Sequence, residues 1–185
     1  MQKYLFTSDR LGFRNWQSSD LENLYLLNAN KKVMRYFPST QTKEDCEAFI
    51  QRMQLQYKKN RYCYFAVELK ETEEFIGFIG LSEQTYAVDF NPSTDIGWRI
   101  LPEHWKKGYA VEGAKQCLTY AFNTLSLKQI VAIAPVINKP SIAVMEKLGM
   151  LKIKDFEHPL LQKFPEILKC SLYAISKDDF LSASS

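Results

Sequence analysis

The chain has 185 residues, with 24 Lys and Arg against 21 Asp and Glu, a formal net charge of +3, 46% hydrophobic and 14% aromatic residues. This composition fits one globular domain with a substantial core and excludes a disordered chain. So small a charge, with no Lys/Arg stripe interleaved with aromatics, argues against nucleic acid as a partner; a small anionic ligand suits it equally well.

RLGFRNW (Arg10 to Trp16) alternates apolar and polar residues and predicts a first strand. SSDLENLYLL follows as a helix, with Ser19 and Glu22 spaced as a capping box and Leu21, Leu24 and Leu27 at apolar positions. In EDCEAFIQRMQLQY, Cys46, Phe49, Ile50, Met53 and Tyr57 share one helical face. CYFAVELKETEEFIGFIGL reads as a hairpin, two apolar runs around a charged turn, and STDIGWRIL as a further strand. A helix after Gly108 buries Val111, Ala114, Leu118, Ala121, Phe122 and Leu125. QIVAIAPV is a buried strand. KPSIAVMEKLG is a short helix with Pro140 near its start, Ile142, Met145 and Leu148 inward, and Gly149 as its stop. CSLYAIS is the last predicted strand. Hairpins in the middle and alternating strands and helices later imply an α/β (α+β) fold, a mixed sheet covered by helices. No repeat or linker divides it, so residues 1–180 are expected as a single domain and 181–185 as a tail.

Cys46, Cys63, Cys117 and Cys170 lie far apart and form no CxxC pair. With His104 and His158 as the only histidines, neither a disulfide framework nor a metal site is expected; reduced thiols in a cytoplasmic protein are. The N-terminus has no apolar signal region, and no apolar run reaches the roughly 20 residues of a membrane span.

The informative stretch is HWKKGYAVEG, His104 to Gly113. Lys106 and Lys107 stand at the start of a helix, where the dipole is already positive, an unfavourable place unless an anion sits nearby. Gly108 allows close backbone approach, Ala110 is small, and the first N–H groups of a helix are unpaired, so the segment reads as a pyrophosphate site. Neither G-x-G-x-x-G nor G-x-x-x-x-G-K-[ST] is present. Read locally, Gly108 eases a turn, one of the two lysines is solvated, Asn138 caps the Pro140 helix and Ser141 bonds nearby backbone. His158 reads as a surface histidine, and Trp16, Phe37 and Trp98 as core.

Trp105-Lys106-Lys107-Gly108-Tyr109-Ala110 resembles the CoA-pyrophosphate signature [QR]-x-x-G-x-[GA] of the GNAT superfamily of acetyl-CoA-dependent N-acetyltransferases, with Trp105 in place of Gln or Arg. TSDRLGFRNWQSSD, FIGFIGL, DIGWRILPEHW and NKPSIAVMEKLGM are similar, in the same order, to segments of the branch that contains the ribosomal-protein N-terminal acetyltransferases. The resemblance implies a twisted, mostly antiparallel sheet of about seven strands, splayed in a V for acetyl-CoA. It implies direct transfer of acetyl to a primary amine, on a peptide or protein N-terminus or a small molecule. Backbone groups of Trp98, Arg99 and Ile100 would hold the pantetheine arm, and the Ile100 N–H would polarise the thioester carbonyl. Residues 105–110 would take the pyrophosphate, with Asn138 and Ser141 beside the cofactor. Ser141, or else Tyr173, would meet the leaving thiolate. Asp95 and Glu83 are the candidate bases. Tyr36, Phe37 and Glu157 are the candidate acceptor contacts. A homodimer is possible. The alternative is a non-catalytic acyl-CoA-binding regulatory module on the same scaffold.

Overall fold

The computed structural model describes residues 3–183. In chain order these form β1 (Phe6–Thr7), β2 (Leu11–Arg14), α1 (Leu21–Ala29), α2 (Lys43–Asn60), β3 (Tyr64–Leu69), β4 (Phe75–Gln84) and β5 (Ser93–Ile100). Then come α3 (Tyr109–Thr119), β6 (Gln129–Pro135), α4 (Lys139–Lys147), β7 (Leu151–Glu157), α5 (Pro165–Leu168), β8 (Lys169–Ser176) and α6 (Lys177–Ser182). The eight strands make one sheet in the order β1-β2-β3-β4-β5-β6-β8-β7. All neighbours are antiparallel except β5 and β6. This is the mixed sheet expected, with one strand more than the approximate seven. β1, too short to show periodicity, and β7, an edge strand, are absent from the segments predicted above.

Pleating gives each sheet face its own helices. On one face Gly113 of α3 sits so close that a Cβ there would lie 2.4 Å from Ile79 Cδ1, next to Leu11 and Phe13. A glycine at that point lets the helix settle directly on β2 and β4. On the other face lie α1 and α2, with Phe49 of α2 meeting Phe78 of β4 and Trp16 at ring distances of 5.3 and 5.5 Å. The apolar face predicted for α2 holds, with Cys46, Phe49, Ile50 and Met53 buried. α3 runs into one wider turn, Tyr120–Thr124, before the chain reaches β6.

Three local expectations are corrected. The first strand ends at Arg14, because Trp16 turns inward and its indole N–H donates to the Tyr64 carbonyl at 2.6 Å. The Ser19–Glu22 capping box does not form; Glu22 pairs with Lys43, and Asp20 organises the start of α1 instead. The expected tail begins inside a helix. α6 continues to Ser182, is capped by Ser176, whose Oγ accepts from the Asp179 N–H at 3.1 Å, and packs Phe180 on Phe122. Of the residues assigned to the tail, Ser184 and Ser185 lie outside the described residues.

Asp20 belongs to a buried ionic group. Its two oxygens accept from both terminal nitrogens of Arg14 at 2.7 Å, while Arg14 Nε donates to Glu68 at 2.6 Å. Burial alone raises the Glu68 pKa, but Lys3 and Arg14 more than offset this and hold it below the usual carboxylate range. A folded-state pKa that is depressed adds stability above the unfolded value, about 4.3, and that stability is lost as pH falls through the folded value. Removing Asp20 strips the buried terminal nitrogens of Arg14 of their carboxylate and leaves Glu68 on Nε as its one acid partner. Asp20→Ala is therefore expected to cost about 3 to 5 kcal/mol, read from the shift in urea midpoint at pH 7.

Candidate active site

β5 pairs with β4 along its whole length, Ser93 to Ile100. With β6 it shares a single register position, Asp95 opposite Val131, and beyond it the two strands part. The Leu101 N–H donates to the Ile76 carbonyl at 2.9 Å, so by strand alternation the N–H groups of Trp98 and Ile100 point away from β4, into the opening. A parallel pair that parts this early leaves backbone donors without strand partners, which only a ligand or water can satisfy.

The opening leads into a cavity of about 460 Å³ that runs to the start of α3. There Lys106 and Gly108 both take left-handed backbone conformations, φ +60° and +85°. The first helical bond of α3 is from the Glu112 N–H to the Gly108 carbonyl, 3.0 Å, so the N–H groups of Tyr109, Ala110 and Val111 have no helical acceptor. The loop is braced from behind. Arg10 Nη2 donates to the Lys107 carbonyl at 3.1 Å and Nε to Glu112 at 2.7 Å, and the guanidinium lies 4.4 Å from the Tyr109 ring centre. Glu112 also accepts from the Ser8 hydroxyl and the Arg10 N–H, which hold its pKa down despite burial. Trp105 departs from the signature, and its indole N–H donates to the Ile100 carbonyl at 2.7 Å, tying the loop to the tip of β5.

Trp98, Arg99, Ile100, Trp105, Lys106, Gly108, Tyr109, Ala110, Asn138 and Ser141 all line this cavity, and so do Tyr36 and Phe37. Asn138 Oδ1 accepts from the Ser141 N–H at 3.3 Å and caps α4, while the Ser141 hydroxyl makes no hydrogen bond among the described residues. Phe37 is 41% exposed and Trp98 half-buried; neither is the core residue expected, whereas Trp16 is.

Lys107 does not line the cavity. Glu83 is exposed and pairs with Lys59 at 3.5 Å, also outside the lining. Glu157 is exposed on β7, and Tyr173 lies in a separate depression, 3.4 Å from Glu146. Asp95 is half-buried beside the lining residues and accepts from the Tyr64 hydroxyl at 2.7 Å. Burial raises its pKa to about 6, against the lowering effect of hydrogen bonds from Tyr64, Gln84 and the Ser82 backbone.

Sequence reasoning missed several lining residues. Lys32 and Lys147 are remote in sequence from the signature, and so is the buried Asn28 behind the lining, which accepts from Arg99 Nη1 at 2.6 Å. His104, 5% exposed, also lines the cavity, with Nε2 3.1 Å from Glu74 and Nδ1 buried without a partner. The Arg10–Glu112 brace spans 102 residues and leaves no local pattern to read. Among the described residues no group of acids, histidines and cysteines is arranged to hold a metal, and no helix is long and apolar enough to cross a membrane.

The family model for the acetyltransferase (GNAT) domain matches residues 10–151. The chain belongs to the GNAT acetyltransferase family. It is 33% identical over 179 residues to the uncharacterized N-acetyltransferase YnaD of Bacillus subtilis, covering 94% of this chain and 98% of that one. In fold it is similar to a GNAT-family acetyltransferase of Bacillus anthracis, with a TM-score of 0.79, 28% identity, and 93% and 98% of the two chains covered. A spermidine N-acetyltransferase of Vibrio cholerae, solved with CoA and spermine, superposes with a TM-score of 0.73 at 22% identity, over 93% and 98% of the chains.

A raised carboxyl pKa has a thermodynamic consequence. In this N-acetyltransferase the folded state disfavours ionised Asp95, so its contribution is present below the unfolded pKa of about 3.9 and is lost as pH rises through about 6. Asp95→Asn keeps an acceptor for Tyr64 without the charge. It is expected to stabilise the protein by about 2 kcal/mol at pH 8 and by nearly nothing at pH 3.5, measured by denaturant unfolding at both values.

Proposed function

We propose that the protein transfers acetyl from acetyl-CoA to a primary amine, by direct attack within a ternary complex. One observation carries this reading: the strand opening, with outward N–H groups on Trp98 and Ile100, and the unpaired N–H groups of α3 share one cavity. An extended arm with an amide backbone suits the first, and a pyrophosphate suits the second.

In this reading the Trp98 and Ile100 N–H groups hold the pantetheine and the thioester oxygen. The Ile100 N–H faces the charge that develops as the amine attacks the carbonyl carbon. Lys106 and the stretch Gly108 to Ala110 take the pyrophosphate, with Lys106 supplying charge and Gly108 the close approach. The C–S bond breaks as the C–N bond forms, and the Ser141 hydroxyl, without a partner among the described residues and beside Asn138, hydrogen-bonds the departing sulfur. The attacking nitrogen must be neutral. The positive lining helps, because cations lower the pKa of a nearby ammonium group. Asp95, with a pKa of about 6, is a better proton sink than Glu83, which Lys59 occupies at the surface; the proton reaches it through water. Tyr36 and Phe37 form the acceptor side of the mouth.

The finer assignments rest on sequence. The segment order points to the branch of ribosomal-protein N-terminal acetyltransferases. Four buried, unpaired cysteines fit a cytoplasmic setting. The exposed Leu151 and Ile153 on edge strand β7 offer a surface for a homodimer.

Calorimetric titration with acetyl-CoA, followed by thiol release over a panel of amines and N-terminal peptides, tests the reading. Binding with turnover supports it, and binding without turnover of any amine leaves an acyl-CoA-binding module. Absence of binding removes the proposal. Gly108→Glu, which puts an anion and a side chain where φ is +85°, is expected to weaken acetyl-CoA binding by more than about 100-fold. Ser141→Ala is expected to lower kcat about tenfold or more with little change in acetyl-CoA affinity; an unchanged kcat removes Ser141 from the mechanism.

A further inference from the structure

Arg99 is out of keeping with the rest of the site. It stands on β5 two residues beyond Gly97 on the α1–α2 face, with its guanidinium 4.1 Å from the Phe37 ring centre and 5.1 Å from that of Phe78. Nη1 donates to Asn28 Oδ1, Nε is buried without a partner, and Nη2 has no hydrogen bond among the described residues. Arg99 is half-buried as a whole, and no carboxylate pairs with it among those residues, although a guanidinium edge taken out of water is normally paired. Burial lowers its pKa to about 10, which still leaves it charged at neutral pH.

The surroundings share its sign. Lys32, Arg35, Lys106 and Lys147 also line the cavity, none of them in an ion pair among the described residues, and the lining contains no Asp or Glu. Lys106 stands at the α3 start and Lys147 at the end of α4, within reach of phosphates that enter beside α3. Arg99 is on the opposite sheet face from α3, turned toward Asn28 of α1 and the Phe37 mouth. Phosphates held at the α3 start therefore leave it unpaired.

Building on the acetyltransferase reading, we propose that Arg99 binds a carboxylate of the acceptor, and that the acceptor is a small amino-acid-like molecule carrying both a primary amine and a carboxylate. The Nε–Nη2 edge of a guanidinium matches the two oxygens of a carboxylate. The Phe37 ring, 41% exposed on the loop before α2, gives way to admit it to Nε. Asn28, fully buried and donating to Gln41 at 2.6 Å, fixes the other edge of the fork. The same lining is the wrong sign for a polyamine, which would bring two or more ammonium groups among unpaired cations.

The test compares the twenty amino acids and a set of dipeptides with their C-terminal amides, plus spermidine, in the thiol-release assay. Carboxylates are expected to exceed their amides by about 100-fold or more in kcat/KM, because an amide leaves the guanidinium unpaired. Arg99→Gln is expected to collapse that ratio toward one, and Arg99→Lys to restore part of it, which a merely structural role does not do. A measurement on the unaltered protein stands beside the variants: the N-acetylated amino acid should inhibit more strongly than its methylamide. Preference for amides or spermidine overturns the proposal while the acetyltransferase reading stands. So does acetyl-CoA binding with turnover of neither panel. Failure to bind acetyl-CoA at all overturns the reading beneath it.

Discussion

The parting of β5 from β6 is the constraint on which the rest of the site depends. A parallel pair held at one register position exposes, inside the sheet, backbone donors that interior strands otherwise spend on a neighbour. The gap persists because each side is anchored elsewhere, β5 by full pairing with β4 and β6 by seven residues of antiparallel pairing with β8. The opening is thus a property of sheet connectivity. Its backbone donors need no particular side chain, so the residues around it are free to set which molecules enter.

The two sheet faces divide the work. α3 packs on one face through Gly113 and brings its N-terminus to the mouth of the gap, where Arg10 and Glu112 hold the loop in its left-handed turns. α1 and α2 cover the other face, and there the strands present Asp95, Tyr64 and Arg99 to a layer of aromatic rings. On the proposed reading, anchoring of the cofactor and discrimination of the acceptor rest on different packing layers. A substitution such as Arg99→Gln alters the second while the loop at Gly108 keeps its shape.

Charge is distributed in keeping with this division. The net charge of the chain is small, yet the cavity lining carries basic residues and no carboxylate. Acids lie behind or outside it: Glu112 under Arg10, Glu74 on His104, Asp95 under Tyr64. On the proposed reading, so positive a space favours a neutral amine over an ammonium ion, which eases the demand on a general base. That is consistent with a site in which no acid lines the cavity.

The signature Trp105 to Ala110 and the cap Asn138 to Ser141 were legible in the sequence because each is a local device: a glycine turn, a helix N-terminus, a side chain bonding backbone three residues on. Helix faces such as that of α2 were legible for the same reason, since periodicity is local. The single-register contact of β5 with β6, the brace between Arg10 and Glu112, and the isolation of Arg99 were decided only by the tertiary structure. They join residues far apart in the chain, and nothing in a residue's neighbours along the sequence records which charge it meets, or fails to meet, across a packed sheet. The sequence by itself determined the fold class and the glycine turn that opens α3; the folded structure decided which side chains line the cavity, because that set is drawn from both faces of the sheet.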